Sequence, residues 1–146
     1  MMALRNLLIA VTLLVSAVCH AEQSPMEKDQ NAIIATLKAQ FEKPGAPLTL
    51  APISIVNNHA VVGWTQEKTG GRALLKKTNE QWQVTLCAGD GLKGERALLD
   101  AGIDKVTAHD LAKKASQGEL KLSKSRLQQM SKFNGIMDMS QAAHGH

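Results

Sequence analysis

The amino-acid sequence predicts an α+β fold: an N-terminal helix, a four-stranded antiparallel meander and C-terminal short helices. Three observations predict it. Met26, Ile33, Ile34, Leu37 and Phe41 recur at helical spacing, with Gln30 as a polar interruption, and mark the core-facing stripe of an amphipathic helix. Residues 48–88 then break into short runs, two of them plainly alternating, separated by turn residues. After Cys87 the texture returns to helical spacing in short pieces.

The first helix has a defined start. Ser24 is placed to cap, Pro25 suits the first helical position, and Glu27 completes a capping box. Lys43-Pro44-Gly45-Ala46-Pro47 ends it. Leu48 to Val56 reads as a strand, and Pro52, which cannot donate a ladder hydrogen bond, places it at an edge or a bulge. Asn57-Asn58 turns the chain into the second strand, where Ala60, Val62 and Trp64 share a face. Gly70-Gly71 is expected to supply a tight hairpin turn, with Arg72 to Lys77 as the third strand. Asn79-Glu80 marks the next turn. In the fourth strand Trp82, Val84 and Leu86 alternate with Gln83, Thr85 and Cys87, so Cys87 is expected on the less apolar face.

Ala88-Gly89-Asp90-Gly91 reads as a loop, and Leu92 to Ala101 as a short helix ended by Gly102. A further helix is expected to start around Thr107, with Val106 and Leu111 as its hydrophobic staple. Ser123 starts a last helix, with Leu122 and Leu127 as staple and Leu127, Met130 and Phe133 on its buried face; Asn134-Gly135 ends it. Residues 22–135 thus form one domain, and residues 136–146 a flexible tail containing Met and His.

Residues 1–21 stand apart from this domain. A basic Arg5, an apolar run from Leu7 to Val15 and small residues up to Ala21 describe a secretory signal peptide, which places the mature protein in the periplasm. The apolar run is too short for a membrane span, and none is expected after cleavage. Cleavage after Ala17 instead would expose Val18-Cys19-His20, whose amine, amides and imidazole suit Cu(II). Without residues 1–21 and their Arg5, 16 basic residues face 13 acidic ones, a net charge of +3 spread along the chain. That is no nucleic-acid footprint, and with aromatics at 3% and no Tyr, base-stacking platforms are not expected. The mature chain keeps one thiol, Cys87, and so has no internal disulfide.

Soft donors carry the candidate chemistry. Met137 and Met139 offer thioethers, which suit Cu(I), while His144 and His146 offer imidazoles around a flexible Gly145. Cys87 would add a sulfur if the tail folds back over the meander. A Cys-His enzyme would need a base near Cys87, and no pattern pairs it with His59 or His109, both expected to be exposed. Gly89-Asp90-Gly91 lacks the spacing of a phosphate-binding loop.

Gly63-Trp64-Thr65-Gln66, Gly70-Gly71-Arg72-Ala73-Leu74-Leu75 and the run from Trp82 through Leu86-Cys87-Ala88-Gly89-Asp90 to Leu92 resemble a family of small exported bacterial proteins, the copper uptake system-associated proteins. The resemblance implies an association with periplasmic copper acquisition and no defined activity; together with the soft donors it leads to the expectation of a non-enzymatic accessory protein in copper uptake or delivery, with a copper-uptake transporter or a periplasmic copper chaperone as partner. The site residues expected for copper are then Met137, Met139, His144, His146 and Cys87. The alternative is a metal-free interaction module that acts on a transporter or chaperone through the Gly70–Arg72 hairpin and the face carrying Thr85 and Cys87.

Overall fold

The computed structural model describes residues 21–140. The signal region, with the Val18-Cys19-His20 terminus, lies outside the described residues except for Ala21, and so do His144 and His146.

Helix α1 spans Pro25–Phe41 and starts as its sequence dictates. The Glu27 amide donates to Ser24 Oγ and the Ser24 amide donates to the Glu27 carboxylate, closing the capping box. The helix buries Ile33 and Leu37, each contributing roughly 1.5–3 kcal/mol relative to an exposed side chain. Asp29 fixes the helix to the sheet: its Oδ1 accepts from Trp82 Nε1 at 3.0 Å and pairs with Lys77 Nζ at 2.9 Å. Those contacts, the Lys77 hydrogen bond foremost, hold the Asp29 carboxyl below its ordinary pKa.

The meander is present, and it gains a strand. Strands β1 (Thr49–Val56), β2 (His59–Gln66), β3 (Thr69–Thr78) and β4 (Gln81–Ala88) pair antiparallel in order, and β5 (Ile136–Asp138) pairs antiparallel with β4. The sheet is therefore five-stranded, and residues 136–138, expected to begin a flexible tail, belong to it. Pro52 lies in edge strand β1, where the register shifts between Leu50 and Ile53. Arg126 Nη2 donates to the Thr49 and Ala51 carbonyls beside that shift, at 3.3 and 3.2 Å.

Two expectations in the meander fail for identifiable reasons. The β2–β3 turn is Glu67-Lys68, with Glu67 at φ 53°, while Gly70 and Gly71 sit within β3 opposite Thr65 and Trp64. Their lack of a side chain serves close approach, since a Cβ on Gly71 would stand 2.9 Å from both the Ala88 carbonyl oxygen and the Trp64 ring. The alternation of β4 also breaks. Leu75 pairs with Val84 but Leu74 pairs with Leu86, so Thr85 is the extra residue of a β-bulge. The bulge flips the phase: Trp82, Val84 and Cys87 share the face that packs on α1, and Leu86 goes to the other.

That second face carries helices α2 (Glu95–Asp100), α3 (Lys105–Glu119) and α4 (Lys124–Met130), preceded by a single 3-10 turn over Asp90–Leu92. Helix α3 starts before the expected Thr107. Asp104 caps it by accepting the Thr107 amide at 3.0 Å, and Val106 is exposed, so no staple forms there. Helix α4 starts at Ser123 as expected but ends at Met130, leaving Phe133 beyond it. Val61, Leu74, Ala88, Leu98, Ala108 and Leu111 build the core beneath α2 and α3. The result is a three-layer arrangement with one core on each face of the sheet. Among the described residues no helix is long and apolar enough to cross a membrane.

Candidate functional site

The end of the sheet that faces the C-terminus of α1 holds a cavity of about 270 Å³. Its floor is the face of the sheet bearing Trp64, Ala73 and Cys87, and Leu37 and Phe41 of α1 close one side. Phe133 packs edge-on against Trp64, with ring centroids 6.0 Å apart and an interplanar angle of 81°. Met137 and Met139 also line it, and Gln40, Glu42, Lys43 and Gln66 add polar groups.

This arrangement follows from register. Cys87 is the cross-strand partner of Met137 in the β4–β5 pair. Directly opposed residues project to the same face with Cβ atoms about 4.5–5.5 Å apart. Met139 lies two residues further along and shares that face, while Ile136 and Asp138 project to the other. The Met139 amide donates to the Thr85 carbonyl at 2.8 Å, so the chain still follows β4 past the last strand residue. Asp138 then accepts the Ser140 amide at 2.9 Å, which turns the chain, and the Ser140 hydroxyl first, with that amide, lowers the pKa of its carboxyl. Of the residues expected for metal, the structure thus brings together Cys87, Met137 and Met139. Phe41, Trp64 and Phe133 also build the cavity, which sequence reading missed; the only signal for it was that Trp64 shares a face with Ala60 and Val62.

Cys87 is 6% exposed, contrary to its expected place on the mixed face. Burial pushes its thiol up to about 11. Free cysteine, with a pKa near 8.5, is about one quarter thiolate at pH 8, whereas a thiol at about 11 is roughly one part in a thousand. Alkylation of Cys87 in the folded protein at pH 8 is therefore expected to run at least about 100-fold slower than that of free cysteine. Because only the thiolate reacts, the rate should rise about tenfold per pH unit between pH 8 and 10. A rate within a few-fold of free cysteine would restore the reactive-thiol reading.

Neither other described histidine of the mature chain lines this cavity. His109 is exposed, with Nδ1 3.0 Å from Glu95 Oε2. His59 is half-buried at the start of β2 rather than in a turn; burial, with Lys76 nearby, holds it below the ordinary imidazole value. No group of three or more His, Cys, Asp and Glu side chains is placed to hold a metal among the described residues, so the clustered donors are sulfur.

Most of the surface expected for a metal-free interaction module is buried, with Thr85 left half-exposed. Gly70, Gly71 and Arg72 are all buried. The Arg72 side chain is 2% exposed and binds Glu119 through Nε at 2.6 Å and Nη2 at 3.0 Å, with Nη1 3.2 Å from Asp90. Thr85 Oγ1 donates to the Leu74 carbonyl across the bulge. No protein-family model matches the chain, and neither does any curated protein or solved structure.

Proposed function

We propose that this chain is an exported, non-enzymatic accessory protein of copper uptake or delivery, which binds copper transiently where its C-terminal strand joins the sheet. The observation that carries the reading is the convergence of Cys87 with Met137 and Met139, about fifty residues later, on the lining of one cavity. Thiolate and thioether sulfur select soft metal ions, copper among them. The exposed side of the cluster is Met137, 53% exposed, which gives a metal a way in from solvent. His144 and His146 follow a few residues later and offer imidazole donors to the same ion. The resemblance of residues 60–92 to the copper uptake system-associated proteins supports the same assignment, and the partner in this reading is a copper transporter or periplasmic copper chaperone.

The test is a competition titration of residues 22–146 with copper, compared with M137L/M139L and with H144A/H146A. Met to Leu conserves volume and removes only the donor atoms. The double Leu variant is expected to lose about tenfold or more in copper affinity, since soft-donor selectivity resides in the sulfurs. Unchanged affinity in both variants would remove direct copper binding at this end of the chain.

A further inference from the structure

Resting on the copper reading, we propose that the cavity of Cys87, Met137 and Met139 takes its metal as Cu(I) and rejects Cu(II). The donor set and the charge balance of the same lining point there. All three convergent donors are sulfur, and no histidine lines the cavity among the described residues. Cu(II) prefers nitrogen and oxygen in a tetragonal arrangement, whereas thiolate and thioether sulfur suit Cu(I).

The second is charge. On loading, the Cys87 S–H bond breaks, a Cu–S bond forms, and the proton leaves to solvent. The methionines bind as neutral donors and the copper keeps its oxidation state. Cu(I) with one thiolate is then neutral, and a neutral complex is what a lining of Leu37, Phe41, Trp64 and Phe133 accommodates. Cu(II) would keep an unbalanced positive charge against the same apolar wall. Gln40, Glu42, Lys43 and Gln66 add polar groups at the rim, and two of them are engaged by protein partners. Glu42 accepts the Leu48 amide at 2.9 Å and pairs with Lys38 at 3.3 Å, and Gln66 Nε2 donates to the Phe41 and Ala46 carbonyls at 3.1 and 2.9 Å.

The experiment uses H144A/H146A, so that tail imidazoles cannot contribute, and titrates it with Cu(I) under anaerobic chelator competition, with Ag(I) as a redox-inert monovalent probe, and with Cu(II) followed by electron paramagnetic resonance. One equivalent of Cu(I) and of Ag(I) should bind, Cu(II) should bind at least about 100-fold more weakly, and adding M137L/M139L should cost about tenfold or more for both monovalent ions. Thermal melts of the two variants by circular dichroism confirm that each is folded. Cu(II) held as tightly as Cu(I) would overturn the oxidation-state inference and leave copper binding standing. Cu(I) binding that ignores M137L/M139L would place the site elsewhere, and binding of neither ion would overturn both this inference and the function on which it rests.

Discussion

Replacing Arg72 by Ala is expected to cost the fold about 3–5 kcal/mol, read as a shift in the urea midpoint followed by tryptophan fluorescence. The guanidinium holds three separate elements. It starts on β3, meets Glu119 at the C-terminal end of α3 with two hydrogen bonds, and reaches Asp90 in the 3-10 turn after β4. Asp90 in turn accepts from Ser131 Oγ at 2.7 Å, just beyond α4, and that contact is the main reason its carboxyl titrates low. Glu119 is 15% exposed, so removal of Arg72 strands a largely buried carboxylate. The loss comes mainly from that stranded charge, and the double variant R72M/E119M is therefore expected to recover most of it. A loss below about 1 kcal/mol in R72A would mean that the pair behaves like a surface ion pair.

Gly89→Ala is expected to cost about 1–3 kcal/mol, because it overpacks a site with no room. A Cβ there would stand 2.5 Å from the Phe133 carbonyl oxygen and 3.3 Å from that of Ser131. Both neighbours are backbone, so relief requires moving the segment between α4 and β5. That segment carries Phe133 into the cavity and leads straight into Met137. In the copper reading the substitution should thus weaken copper binding as well as the fold, although Gly89 offers no donor. Measured together, a stability loss with unaltered copper affinity would separate the two and place the copper site away from β5.

Much of the fold was legible because its signals are local. Ser24, Pro25 and Glu27 determine the start of α1 among themselves, and Pro52 marks an edge strand because it lacks an amide hydrogen. What was missed depends on contacts between distant residues. The bulge at Thr85 leaves no mark in the alternation of Trp82, Val84 and Leu86, yet it decides that Cys87 rather than Leu86 faces the cavity. Asp104 and Thr107 can both cap a helix, and the sequence does not say which wins. Strand β5 has only three exposed residues and no apolar period; it is a strand because the edge of β4 accepts it. The expected copper donors were found as residue types, but their meeting with Cys87 depended on that pairing. Arg72 was read as part of an exposed hairpin because nothing near it in sequence announces Glu119, 47 residues later.

The short last strand also bears on the exposed edges of the sheet. A free sheet edge is a template for pairing with another chain. On β1 that hazard is blunted by Pro52, the register shift and the two carbonyls taken up by Arg126. On the opposite side the guard is β5 itself, three residues long and ended by the Asp138–Ser140 turn. Peeling it away would uncover Thr85 to Ala88 as an unprotected edge. In the copper reading, two of the sulfur donors sit on the guard and one on the strand it covers, so a bound ion would pin the guard in place. Metal loading would then double as protection against aggregation, with the apo protein the more prone to self-association.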